Sequence, residues 1–185
     1  MEFMDEVLVS ELKKVGDQLS GHIGASPDHL VFACNTSEAI SGIAHSLKWT
    51  PGDEVLVTDQ IHSGVFNIFS HLCSRAGANL RTVALPWPVS SAREITDAVK
   101  PHLNERVRLA VFDHVSSKHS IVMPLKTLVN MCHASGIAVL VDGAQAPGML
   151  NLQTSEIGAD WYIGNCHKWL LAPRGWGRRQ RRSPS

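Results

Sequence analysis

The 185-residue sequence has no apolar run approaching the ~20 residues a membrane-spanning helix needs. Its opening residues mix acids and lysines with apolar positions instead of setting a basic end before an apolar centre, so no signal peptide is expected either. The expected location is the cytoplasm, with an organelle also compatible. Cysteine is sparse: Cys34, Cys73, Cys132 and Cys166 stand far apart and form no C-x-x-C pair, which argues against a zinc knuckle or a redox dithiol. Reduced, mostly buried thiols follow. There is no internal repeat and no Gly/Ser linker. Acidic residues are missing from the last twelve positions, where Arg174, Arg178, Arg179, Arg181 and Arg182 fall. The zero formal charge of the whole chain therefore conceals an acidic body, net −5 over residues 1–173, and a basic tail.

What is present suits one globular domain: 44% of the residues are hydrophobic and 18% charged, which excludes a disordered or coiled-coil chain. Short Val- and Leu-rich runs predict strands at 29–33, 54–58, 79–84, 108–113, 137–141 and 161–163. Amphipathic stretches predict helices at 37–47, 64–76, 95–103 and 125–135, after an opening helix at about 3–19. Gly77 and Gly136 punctuate helix ends, and Ser37-Glu38 begins a helix. This alternation predicts an α/β fold, a mostly parallel doubly wound sheet with flanking helices. Such sheets bind ligands beyond the carboxyl ends of their strands.

Three strand ends carry polar residues in apolar surroundings. The first strand runs into Cys34-Asn35-Thr36-Ser37-Glu38-Ala39, where free N–H groups and two hydroxyls suit either a phosphate or a plain helix cap. Asp142 ends the apolar run Val139-Leu140-Val141 and is followed by small residues that let a flat ligand approach. A buried carboxylate there needs a cationic or hydrogen-bonding partner, and a protonated heteroaromatic nitrogen, a metal or a turn N–H could each serve. Lys168, in Gly164-Asn165-Cys166-His167-Lys168-Trp169, has the most apolar and Gly-rich setting of the seven lysines. Burial favours the neutral amine that condenses with an aldehyde.

Together N-T-S-E-A, D-H-V-S-S, V-D-G-A-Q-A-P-G and G-N-C-H-K-W resemble the class V aminotransferase family of pyridoxal-phosphate enzymes, in its isopenicillin N epimerase-like and cysteine desulfurase-like branch. The motifs keep the family's order, the interval from Asp142 to Lys168 is 26 residues, and the likeness covers nearly all of residues 20–175. The resemblance implies the three-layer large domain of a fold type I enzyme with pyridoxal 5'-phosphate as cofactor. It implies that Lys168 forms the Schiff base with the cofactor aldehyde and moves the substrate's alpha proton. Asp142 would keep the pyridine nitrogen protonated, making the ring an electron sink. Gln145 would donate to the phenolic oxygen, and Thr36, Ser37, Asn165 and His167 would reach the phosphate. His62, counted with Lys168 as catalytic, falls where the family stacks a ring on the cofactor. Ser117 matches a polar position on the cofactor side. No metal is expected, because His114 and His119 lack a third ligand at a recognisable spacing.

Complete members of that family are longer, and the resemblance lacks their opening substrate loop and C-terminal small domain. The chain is thus expected to be truncated at both ends. Residues 1–175 would be a partial cofactor-binding large domain, and 176–185 a basic, disordered tail through which no strand can be drawn, leaving one place in the sheet vacant. The function implied is a pyridoxal-phosphate enzyme of impaired activity that transaminates, epimerises or cleaves a carbon–sulfur bond in a small amino acid. Its complete relatives are homodimers. The alternative is an inactive form that serves only as a binding or dimerisation partner. No membrane partner is expected. A nucleic-acid contact through the arginine tail is disfavoured, since no recognition helix or aromatic platform accompanies it.

Overall fold

The computed structural model describes residues 7–173 and, as backbone, 177–181. In chain order its elements are α1 (Leu8–Ile23), β1 (Leu30–Ala33), α2 (Thr36–Ser46), β2 (Glu54–Thr58), α3 (Ser63–Ala76), β3 (Asn79–Val83), α4 (Ala92–Val99), β4 (Val107–Asp113), α5 (Leu125–Ala134), β5 (Ala138–Gly143), α6 (Thr154–Ile157), β6 (Trp161–Asn165) and β7 (Gly177–Arg181). The six expected strands all form, with ends within two residues of the sequence expectation. Helix α1 continues past residue 19 because its stop lies at Gly24, whose left-handed backbone (φ 62°) returns its N–H to the Ser20 carbonyl. Helix α4 starts three residues before the expected 95, where the Ser91 hydroxyl accepts the Glu94 N–H and the Glu94 carboxylate accepts the Ser90 N–H. Its far end tightens into a 3₁₀ turn at Lys100–His102.

The strands make one seven-stranded sheet in the order β1-β7-β6-β5-β4-β2-β3. Strand β7 runs antiparallel to both its neighbours, and every other pairing is parallel. This corrects the sequence expectation for the tail: a strand does pass through 177–181, and the place between β1 and β6 is filled. The remainder of the expected tail, residue 176 and residues 182–185, lies outside the described residues. Side-chain pattern could not reveal β7, because the Arg-rich segment has no β preference of its own. The two facing strand edges, whose N–H and C=O groups require partners, impose the conformation.

Alternation along the strands builds a core on each face. Leu109 and Val111 of β4, Val55 and Val57 of β2 and Leu140 of β5 pack with Ile40, Ile43, Phe69 and Leu72 of α2 and α3. Ala110 and Phe112 of β4, Leu56 of β2 and Val139 and Val141 of β5 turn the other way, onto Ile95 and Val99 of α4 and Leu125, Leu128 and Val129 of α5. The result is the expected three-layer, doubly wound α/β arrangement. By the same alternation Asp113, the last residue of β4, and Asp142, the last but one of β5, project to the α2/α3 face, where both helices begin. Among the described residues no helix is long and apolar enough to cross a membrane.

Candidate active site

Where β4, β5 and β6 end beside the first turns of α2 and α3, a cleft of about 250 Å³ opens. Thr36, Ser37, His62, Ser117, Asp142, Gln145, Asn165, His167 and Lys168, the nine residues singled out from the sequence, all line it. Asn35, Asp113, Val65, Val115 and Ala144 complete the wall.

The start of α2 differs in detail from the sequence reading. The cap is Asn35, whose side-chain oxygen accepts the Glu38 N–H at 2.9 Å. That relieves Thr36 and Ser37 of capping, and among the described residues the buried Thr36 hydroxyl has no hydrogen-bond partner. Asn165 Oδ1 and His167 Nδ1 are likewise buried and without a partner among the described residues. All three residues line the cleft, and buried polar atoms left without partners are costly. His62 caps α3 by accepting the Gly64 N–H at 3.1 Å, and it is exposed and lines the cleft together with Ser37. His114 and His119, weighed as a metal pair, are engaged separately: His114 Nδ1 bonds the Tyr162 hydroxyl at 2.8 Å and His119 Nδ1 bonds Gln60 Oε1 at 2.6 Å. Burial pushes the His114 imidazole down to about 4.

Asp142 is buried and accepts the Ala144 N–H at 3.0 Å. Desolvation raises its pKa, against the pull of that N–H and of the charges on Lys168 and His62. Directly across the ladder, in register, stands Asp113. Its carboxyl is pushed up to about 8, first by burial and then by the nearby Asp142 charge, despite the His62 backbone N–H that it accepts. One of its oxygens, Oδ2, has no partner among the described residues. The sequence reading passed over Asp113 as a functional residue, although it follows the apolar run Leu109-Ala110-Val111-Phe112 as Asp142 follows its own.

A stability measurement follows from that carboxyl. In the folded chain Asp113 keeps its proton up to about pH 8, whereas the unfolded chain releases it near the ordinary value of 3.8. Over that window the native state binds more protons, so its stability falls as pH rises. Asp113→Asn removes the effect. The variant is expected to gain stability over the wild type between pH 5 and pH 7.5, by up to about 3 kcal/mol in urea unfolding. An equal difference at both pH values would show that Asp113 does not titrate there.

A family model, Aminotransferase class-V, matches residues 5–178. Isopenicillin N epimerase of Amycolatopsis lactamdurans is 34% identical over 180 residues, spanning 96% of this chain and 45% of the relative. A probable chloroplastic L-cysteine desulfhydrase of Arabidopsis thaliana is 38% identical over 133 residues, 68% of this chain and 28% of that protein. The chain thus spans about half the length, or less, of these curated relatives. Among solved structures, the cystine C–S lyase C-DES in complex with its product cysteine persulfide superposes with a TM-score of 0.83 at 24% identity, over 96% of this chain and 49% of that one. The apo cysteine desulfurase of Thermococcus onnurineus NA1 gives 0.79 at 21% identity, over 92% and 42%.

Proposed function

Since the chain belongs to the class V aminotransferase family, we propose that its cleft binds pyridoxal 5'-phosphate and that the chain acts at the alpha carbon of a small amino acid. The observation that carries this reading is the set of residues that line one small cavity: Lys168, the buried carboxylate Asp142, and Thr36, Asn165 and His167, each with a buried polar atom that finds no partner among the described residues. The residues fit the group. Desolvation makes the Asp142 charge costly in the bare protein, and a protonated ring nitrogen is the counter-charge that would relieve it. The first turn of α2, capped by Asn35 and bordering the cleft with Thr36 and Ser37, suits a phosphate.

When bound, the cofactor supplies an aldehyde for the Lys168 amine and a ring that withdraws electrons from the substrate's alpha carbon. Thr36, Ser37, Asn165 and His167 would hold the phosphate, Asp142 would keep the ring nitrogen charged, and the His62 ring would cover one face. Gln145 would donate to the phenolic oxygen, with Ser117 on the same side. Lys168 Nζ would take and return the alpha proton. Epimerisation, transamination and carbon–sulfur cleavage all begin with that proton, and the relatives supply precedents in an epimerase and a desulfhydrase. A second copy of this chain and a small amino acid are the partners this reading carries.

The test is a pair of titrations of the purified chain, followed by absorbance. Pyridoxal 5'-phosphate is expected to bind about tenfold or more tightly than pyridoxal, which lacks the anion that the α2 end would hold. Equal affinity for the two aldehydes, or no long-wavelength band with either, would overturn the proposal.

A further inference from the structure

We propose that Trp169 is a positioning residue of the cleft: its indole orients the Gln145 amide so that the amide nitrogen, not the oxygen, is presented to a bound ligand. The role toward the cofactor rests on the reading of the preceding subsection. Trp169 Nε1 donates to Gln145 Oε1 at 3.0 Å. An indole nitrogen can only donate, so the amide oxygen must face Trp169 and the NH₂ group must point elsewhere. Gln145 lines the cleft, which makes its nitrogen the group available there. With no indole, the amide is free to turn its oxygen inward, toward the electron-rich phenolic oxygen that it is meant to donate to.

Burial does not account for the placement of Trp169, because 54% of it remains exposed. The backbone does. Gly148, in the turn after Gln145, has φ 87°, and a Cβ there would lie 2.5 Å from the Trp169 carbonyl carbon and oxygen and 2.9 Å from Leu170 N. The segment that carries Gln145 and the one that carries Lys168 therefore meet backbone to backbone. The Leu171 N–H returning to Lys168 O and the Ala172 N–H returning to Cys166 O fold the second segment on itself at this contact. The indole bond is the side-chain link between the two.

The test has an arm without cofactor and an arm with it. In ¹⁵N spectra of the apo chain, Trp169→Phe identifies the Trp169 indole resonance by its disappearance. Gln145→Leu is expected to shift that resonance upfield and leave the other indoles in place; an unmoved resonance overturns the proposal. With pyridoxal phosphate, Trp169→Phe is expected to weaken apparent affinity about fivefold, the scale of one hydrogen bond. It should also move the pH midpoint of the absorbance band upward, as Gln145→Leu does, because an oxygen that loses a donor holds a proton more firmly. The double variant should be no worse than Gln145→Leu alone. Additive losses, or an unchanged pH midpoint in Trp169→Phe, overturn it. If the wild type develops no band, the cofactor reading fails, and the apo spectra decide whether the indole holds the amide.

Discussion

Lys168→Ala is expected to abolish the long-wavelength absorbance that pyridoxal phosphate develops with the wild-type chain, leaving only the spectrum of the free aldehyde. Of the seven lysines in the sequence, Lys168 lines the cleft. Lys118 donates to the Asp59 carbonyl at 2.6 Å, and Lys13 and Lys14 pair with Asp17 and Glu11 on the exposed face of α1. An aldehyde anchored through its phosphate near Thr36 and Ser37 would meet one amine at high effective concentration. The variant should still hold the phosphate end, so weak binding persists without the band. Borohydride reduction and peptide mass mapping check the assignment: one equivalent on Lys168 in the wild type and none in the variant. Label on another lysine, or a band that survives the substitution, would refute the role given to Lys168.

Gly143→Ala is expected to destabilise the chain by about 3 kcal/mol, at the upper end of what overpacking a core costs. A Cβ at position 143 would lie 2.4 Å from Cζ and the hydroxyl oxygen of Tyr162. Tyr162 cannot retreat: it is 2% exposed, it packs with Phe112, Val139 and Val141, and its hydroxyl is bonded to His114. The two rings also meet edge to face, 5.7 Å apart at 89°. Gly42→Ala, in the middle of α2 with nothing within 4 Å, is the control and should gain about 0.5–1 kcal/mol. Urea unfolding of both variants decides the matter, and a Gly143→Ala chain as stable as the wild type would mean that β5 and β6 do not pack as described.

These residues show how far the sequence could be read and why it stopped. Fully apolar runs such as Val55-Leu56-Val57 and Val139-Leu140-Val141 mark central strands because both faces of the sheet are covered. The polar strand ends then pointed to the cleft, and all nine chosen residues line it. What was illegible depends on three-dimensional neighbours. Asn35 rather than Ser37 caps α2, a choice among adjacent polar residues that local pattern leaves open. Asp113 matters because β4 lies beside β5 in register, which sets its carboxyl against Asp142. Strand β7 arises from two unpaired edges rather than from its own side chains. Trp169 reads as apolar bulk until its N–H is found on Gln145.

The place of β7 also has a consequence for the order of assembly during synthesis. Strand β1 is made first, yet in the sheet it pairs with β7, which is made last of the seven. The ribosome must therefore deliver every residue through β7 before β1 can be zipped in, and the sheet from β6 to β3 can form while that edge is still waiting. The first turn of α2, which follows β1 directly, is held beside the other strand ends from one side by helix packing until that late pairing secures it from the other. A nascent chain would thus complete its core before it completes its cleft.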